Sequence, residues 1–158
     1  MTDLVTILEE PKGEVYAALL HFALRRNSLF SLVWRDQLRF TESATSVAKT
    51  LRRDLVSERR TNEWPGTELI GHLATVRLYR MSPSALTVLN AAVSLYAWTA
   101  PERPEDLAFY VTAGVPWLGS IAHERDAFLY RHAVDLHDLT HTVEGLRVEH
   151  DNSTSGIH

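Results

Sequence analysis

The stretch that most constrains this chain runs from Glu105 to Tyr130, EDLAFYVTAGVPWLGSIAHERDAFLY, three short apolar runs broken by two turn signals. Leu107 to Val111, Trp117 to Ala122 and Ala127 to Tyr130 have strand length and strand composition, and the breaks at Ala113-Gly114 and His123-Glu124-Arg125 have hairpin length. Three adjacent strands joined by short turns read as an antiparallel meander. A half-buried sheet of this kind needs a layer of other elements packed on its apolar face.

The rest of the chain supplies that layer. Val15, Ala18, Leu19, Phe22 and Ala23 recur at helical spacing, with Arg25-Arg26 placed where a helix end is partially negative, and this predicts a helix over 14–26. Thr41 as N-cap and the stripe Ala44, Val47, Ala48, Leu51, Leu55 predict a second helix over 42–56. Ser82-Pro83 opens a third, over 83–96, because proline at the first helical position loses no needed donor. Leu4, Ile7 and Leu8 predict a short helix over 3–10, and Leu136, Thr140 and Val143 one over 132–144 that competes with the strand ending at Tyr130. Leu29 to Trp34 reads as a strand, with Leu38-Arg39-Phe40 as its second half beyond a bulge or turn. The alternation from His72 to Arg80 gives another strand. The expected architecture is α+β: one domain over 1–150, a mainly antiparallel sheet with a meander in its C-terminal half, packed by three amphipathic helices. Residues 151–158 read as a flexible polar tail.

At 158 residues and 45% hydrophobic content the chain fits one sizeable core. It holds no run of apolar residues long enough to span a membrane, and its acidic N-terminus lacks the pattern of a secretory signal, so a cytoplasmic location is expected. The lack of cysteine excludes disulfides, thiol catalysis and cysteine-ligated zinc. Charge is divided: residues 21–80 carry 11 basic against 6 acidic side chains, or +5, and residues 81–158 carry 4 against 10, or −6. Such a chain either pairs its own halves or presents one charged face to a partner.

No motif specifies a chemistry by itself. His123 and Glu124 stand in a turn between strands, where an imidazole beside a carboxylate can act as a general base, with Arg125 placed to hold an anion. The same four charged residues also suit an ordinary solvated hairpin. His137 and His141 have the i, i+4 spacing of two imidazoles on one helical face, but the glutamate of a metallohydrolase is replaced by Asp138, so no metal is assigned. The seven glycines are scattered singly, and neither a phosphate-cradling loop nor any cofactor is implied. Lys49, Arg52, Arg53, Arg59 and Arg60 would line one face of the second helix as a nucleic-acid footprint, weakened by Asp54 and Glu58. Glu63-Trp64-Pro65-Gly66-Thr67 is a rigid corner that either offers the Trp64 indole to a ligand or pins it over the core.

Three blocks, Trp64-Pro65-Gly66-Thr67, Pro104 to Tyr110 and Pro116 to Glu124, together resemble a group of small uncharacterised bacterial proteins, over about residues 29–131. That resemblance implies no reaction or ligand. In size, acidity and lack of cysteine the chain is also similar in general character to bacterial immunity and antitoxin proteins. The leading expectation is a protein-binding or regulatory domain without turnover, using Trp64, Trp117 and Arg125, with a second copy of the chain as a further candidate partner. The alternatives are a small hydrolase or transferase using His123 and Glu124, and nucleic-acid-backbone binding through the basic helix.

Overall fold

A computed structural model describes residues 3–149 of the chain. In chain order its strands and helices are β1 (Leu4–Thr6), α1 (Glu14–Arg25), β2 (Leu29–Arg35), α2 (Glu42–Leu51), β3 (Leu55–Thr61), β4 (Glu63–Trp64), β5 (Thr67–Glu68), β6 (Ala74–Arg80), α3 (Pro83–Asn90), β7 (Glu105–Thr112), β8 (Val115–Ile121), β9 (Asp126–Tyr130) and α4 (Leu136–Thr142). Seven strands form one sheet in the order β1-β9-β8-β7-β2-β6-β3, every neighbouring pair antiparallel. The fold is α+β, as the periodicities predict, and the meander β7-β8-β9 occupies the expected stretch.

Each face of the sheet is set by alternation. Phe30 and Leu32 of β2, Leu107 and Phe109 of β7, and Ala127 and Leu129 of β9 face the helices and join the main core with Leu19, Leu20, Ala85 and Leu89. Burying each such leucine or phenylalanine contributes about 1.5–3 kcal/mol. The Tyr16 hydroxyl donates to the Leu89 carbonyl at 2.6 Å and accepts from Trp98 Nε1 at 2.9 Å, which joins α1, α3 and the loop before β7. The α3 start is built as predicted: Ser82 Oγ accepts from the Ala85 N–H at 3.0 Å, with Pro83 in the first turn. Val33, Ala74, Val76, Leu78, Ala108 and Tyr110 lie on the opposite face in two smaller apolar clusters, and the buried Ser31 and Tyr110 hydroxyls share a hydrogen bond of 2.8 Å there.

Five expectations are corrected. Residues 3–10 do not form a helix: Leu4–Thr6 pairs with β9, burying Val5 and Ile7 at a spacing of two, because completing the sheet edge outweighs a weak helical stripe. The segment 38–40 is not a strand half, and Phe40 instead packs on Trp34 with ring centroids 4.7 Å apart. The second helix stops at Leu51 rather than reaching 56. A 3₁₀ turn at Arg52–Asp54 follows, held where Ser82 Oγ donates to the buried Asp54 carboxylate, and Leu55–Thr61 leaves as an edge strand on β6. Arg59 and Arg60 therefore stand on β3, off the helix that carries Lys49.

The third helix ends at Asn90, not 96, where Val93 takes a left-handed φ of 61° and Leu95–Ala97 forms a 3₁₀ turn. The last helix is Leu136–Thr142, capped by Asp135, so the strand ending at Tyr130 survives intact. The sheet also gains β1 and β3 beyond the segments expected, and α4, lying within the helix expected over 132–144, packs beside α1. Of the tail, residues 151–158 lie outside the described residues.

Candidate binding groove

The corner at Trp64 is a two-residue hairpin, β4 against β5, laid across the sheet face that the helices leave uncovered. Its tip sits close: a Cβ on Gly66 would lie 2.5 Å from Phe128 Cζ, and one on Gly119 would lie 2.5 Å from Phe128 Cε2 and 3.1 Å from Pro65 Cβ. Glycine at both positions is what lets the hairpin seat on β8 and β9. Gly66 additionally needs its φ of +85°.

A buried polar bolt fixes the hairpin. Trp64 Nε1 donates to Asp106 Oδ2 and the Ala122 N–H donates to Asp106 Oδ1, both at 3.0 Å. Glu105 Oε2 accepts from Thr99 Oγ1 at 2.5 Å and from the Ala100 N–H at 2.9 Å. The Arg35 guanidinium lies 3.6 Å from Glu105 and 3.7 Å from Asp106, beyond hydrogen-bonding length, and also stands over the Trp64 ring. Asp106 reaches these partners because it has a left-handed φ of 55° where β7 carries one extra residue against β2, a bulge conformation that aspartate tolerates better than most residues. Burial raises the Asp106 carboxyl above its ordinary range. Its two donors and Arg35 oppose the shift, and the Glu105 charge adds to it.

This bolt joins Trp64, Glu105-Asp106 and Ala122, one contribution from each of the three sequence blocks. Ligand atoms of Glu105, Asp106 and His123 also lie within 4.8 Å of one another. That set does not suit a cation: the four carboxylate oxygens accept donors or face Arg35, and a metal ion would sit against a guanidinium. The cluster's chemistry is structural, holding a strained bulge and a hairpin in register.

Beside the bolt the hairpin leaves an open groove of about 460 Å³, lined by Trp64, Pro65, Tyr110, Pro116 and Tyr130, with Arg59, Glu63 and Glu68 at its margins. Tyr110 and Pro116 are cross-strand partners on β7 and β8. Tyr130 packs edge-on against Phe128 on β9. Among the described residues the Tyr130 hydroxyl has no hydrogen-bond partner, and Arg59, Glu63 and Glu68 make no ion pair.

The remaining sequence candidates are dispersed. Trp64 is 5% exposed, so the corner pins its indole inward and presents only its margin to the groove. Trp117 is buried on the helical side. It is the extra residue of a β8 bulge, stacks on Phe109 at 5.3 Å and donates to Ser28 Oγ at 3.0 Å. It also lines a smaller cleft of about 240 Å³ with Phe22, Val111 and the Arg26–Asp138 ion pair. Arg125 ties the β8-β9 turn to the N-terminal segment by pairing with Glu10 at 2.9 Å, and stacks over Tyr96. His123 and Glu124 are both exposed and 3.9 Å apart, and the imidazole also reaches to within 4.8 Å of the buried Glu105 and Asp106 carboxylates.

His137 and His141 do share a face of α4, with ring centroids 6.2 Å apart and planes within 13° of parallel. Among the described residues no third histidine or carboxylate completes a metal group with them. Of the basic residues, Arg60 is taken by Asp36, at 2.7 and 2.5 Å, and Arg77 by Glu58. Arg26–Asp138 and Arg35–Glu105 pair the positive and negative halves of the chain internally.

Sequence reasoning missed Tyr110, Pro116 and Tyr130 as groove residues, and Arg35 and Asp106 as the bolt. Alternation along β7 and β9 puts Tyr110 and Tyr130 away from the core-facing Phe109 and Leu129, a signal readable once the meander is granted. No family model, curated protein or solved structure matches the chain. Among the described residues no helix is long and apolar enough to cross a membrane.

Proposed function

We propose that this protein acts by binding another protein, without turnover, and that the groove between the Trp64 hairpin and β7-β9 is the contact surface. The observation that carries this reading is the anchoring: a strained, buried bolt, in which Asp106 accepts from Trp64 Nε1 and from the Ala122 N–H, holds the hairpin over the sheet. The groove beside it presents aromatic and proline surface and, among the described residues, a Tyr130 hydroxyl without a hydrogen bond and three charges without an ion pair. A rigid aromatic cleft with a polar margin is the usual composition of a protein-recognition site.

Affinity capture in the native host with the wild type, Tyr130→Ala and Glu68→Arg tests it. Partners held by the wild type are expected to be lost from both variants and kept by Glu144→Arg on the far surface. Partners retained equally by all four proteins would refute the assignment of the groove. His123→Ala is expected to behave as wild type in the same assay.

A further inference from the structure

We infer that the groove takes an extended, proline-containing segment carrying a basic residue, a deepening that rests on the protein-binding reading above. The spacing supports it. Tyr110 on β7 and Tyr130 on β9 are separated by one intervening strand, so the strands that carry them lie about 10 Å apart at ordinary strand spacing. One turn of a polyproline II helix, three residues of about 3.1 Å each, advances about 9 Å. A segment running across the strands therefore places successive ridges at Tyr110 and Tyr130, with Pro116 between them and Trp64-Pro65 as the opposite wall.

Polyproline II has no internal hydrogen bonds, and its carbonyls need donors. Trp64 cannot serve, because its Nε1–H is spent on Asp106. The Tyr130 hydroxyl and the Arg59 guanidinium can, and both are uncommitted among the described residues. At the margin Glu63 and Glu68 outnumber Arg59, so the flanking charge of the segment is positive.

The test uses three fluorescent peptides: octaproline flanked by arginines, the same peptide with alanine for every proline, and octaproline flanked by glutamates. Titrated by anisotropy against the full chain, the arginine-flanked octaproline is expected to bind saturably, and each of the other two at least about tenfold more weakly. Tyr130→Phe, which keeps the ring and fold, should weaken it about fivefold, the effect of one hydrogen bond. Glu63→Gln with Glu68→Gln should erase the preference for arginine over glutamate flanks.

Equal binding of the alanine peptide, or tighter binding of the glutamate-flanked one, overturns the inference. If no octaproline binds while Tyr130→Ala still loses its partners in the native host, the ligand chemistry is wrong and the protein-binding reading stands. If neither the peptides nor the captured partners respond to the groove variants, both fall.

Discussion

Asp106→Ala is the sharpest test of how the groove is held. Among the described residues, the substitution removes the one acceptor of Trp64 Nε1–H and that of the Ala122 N–H, both buried. An orphaned buried donor costs about 1–3 kcal/mol, so the pair costs about 4. Alanine at this left-handed φ is also less well tolerated than aspartate, and about 1 kcal/mol worse than glycine. Against this, burial already raises the carboxyl above its ordinary range, so removing its charge relieves part of the cost. The net expectation is a loss of about 3–4 kcal/mol. For a domain of this size, with a urea m-value of about 2 kcal/mol per M, that lowers the denaturation midpoint by about 1.5–2 M.

Asp106→Gly loses the same acceptor but fits the backbone, so its midpoint should lie above that of Asp106→Ala by about 0.5 M. Urea titrations followed by far-UV circular dichroism and by tryptophan emission check both. An Asp106→Ala midpoint within 0.5 M of wild type, or glycine worse than alanine, would refute the account of the bulge and bolt.

Gly119→Ala should destabilise by about 2 kcal/mol by driving a methyl into Phe128, and adding Phe128→Leu should recover much of the loss in thermal melts. Ser82→Ala should cost about 1–2 kcal/mol by uncapping α3 and removing a partner of the buried Asp54, read as a lowered urea midpoint. All five tyrosines have hydroxyls raised above 10.0, chiefly by burial, with Tyr96 pushed up to about 12. Their folded values exceed the unfolded one, so their contribution to stability is complete below pH 10 and is lost as pH rises through 10 toward 12. Absorbance of tyrosinate at pH 10.5 should accordingly be small in the native protein and large in urea, and native tyrosines titrating at 10 would count against the burial.

Much of the scaffold was legible in the chain because it rests on short-range rules. The turns at Ala113-Gly114 and His123–Arg125 space the meander, and Ser82-Pro83 starts α3, each through local torsional preference or capping. The failures share a cause. Residues 3–10 and 55–61 have ambiguous periodicity, and Leu4–Thr6 and Leu55–Thr61 became strands because a neighbouring strand presented unpaired backbone to each. The candidate sites failed for a related reason. His123 and Glu124 look like a catalytic pair by proximity in sequence, yet both are exposed and stand 3.9 Å apart. Asp106, one acidic residue among several, has instead the most constrained carboxylate around the groove.

By itself, then, the sequence determined the α+β class, the three-stranded C-terminal unit and the lack of cysteine chemistry, since alternation, turn residues and composition act within a few positions of one another. Only the tertiary structure decided that Trp64, Asp106 and Ala122 meet, and that Tyr110 and Tyr130 flank one groove. The bonds to Asp106 join residues 42 and 16 positions apart in the chain. Long-range pairing of strands and the desolvation of a single carboxylate brought them together, and neither leaves a periodic trace in the sequence.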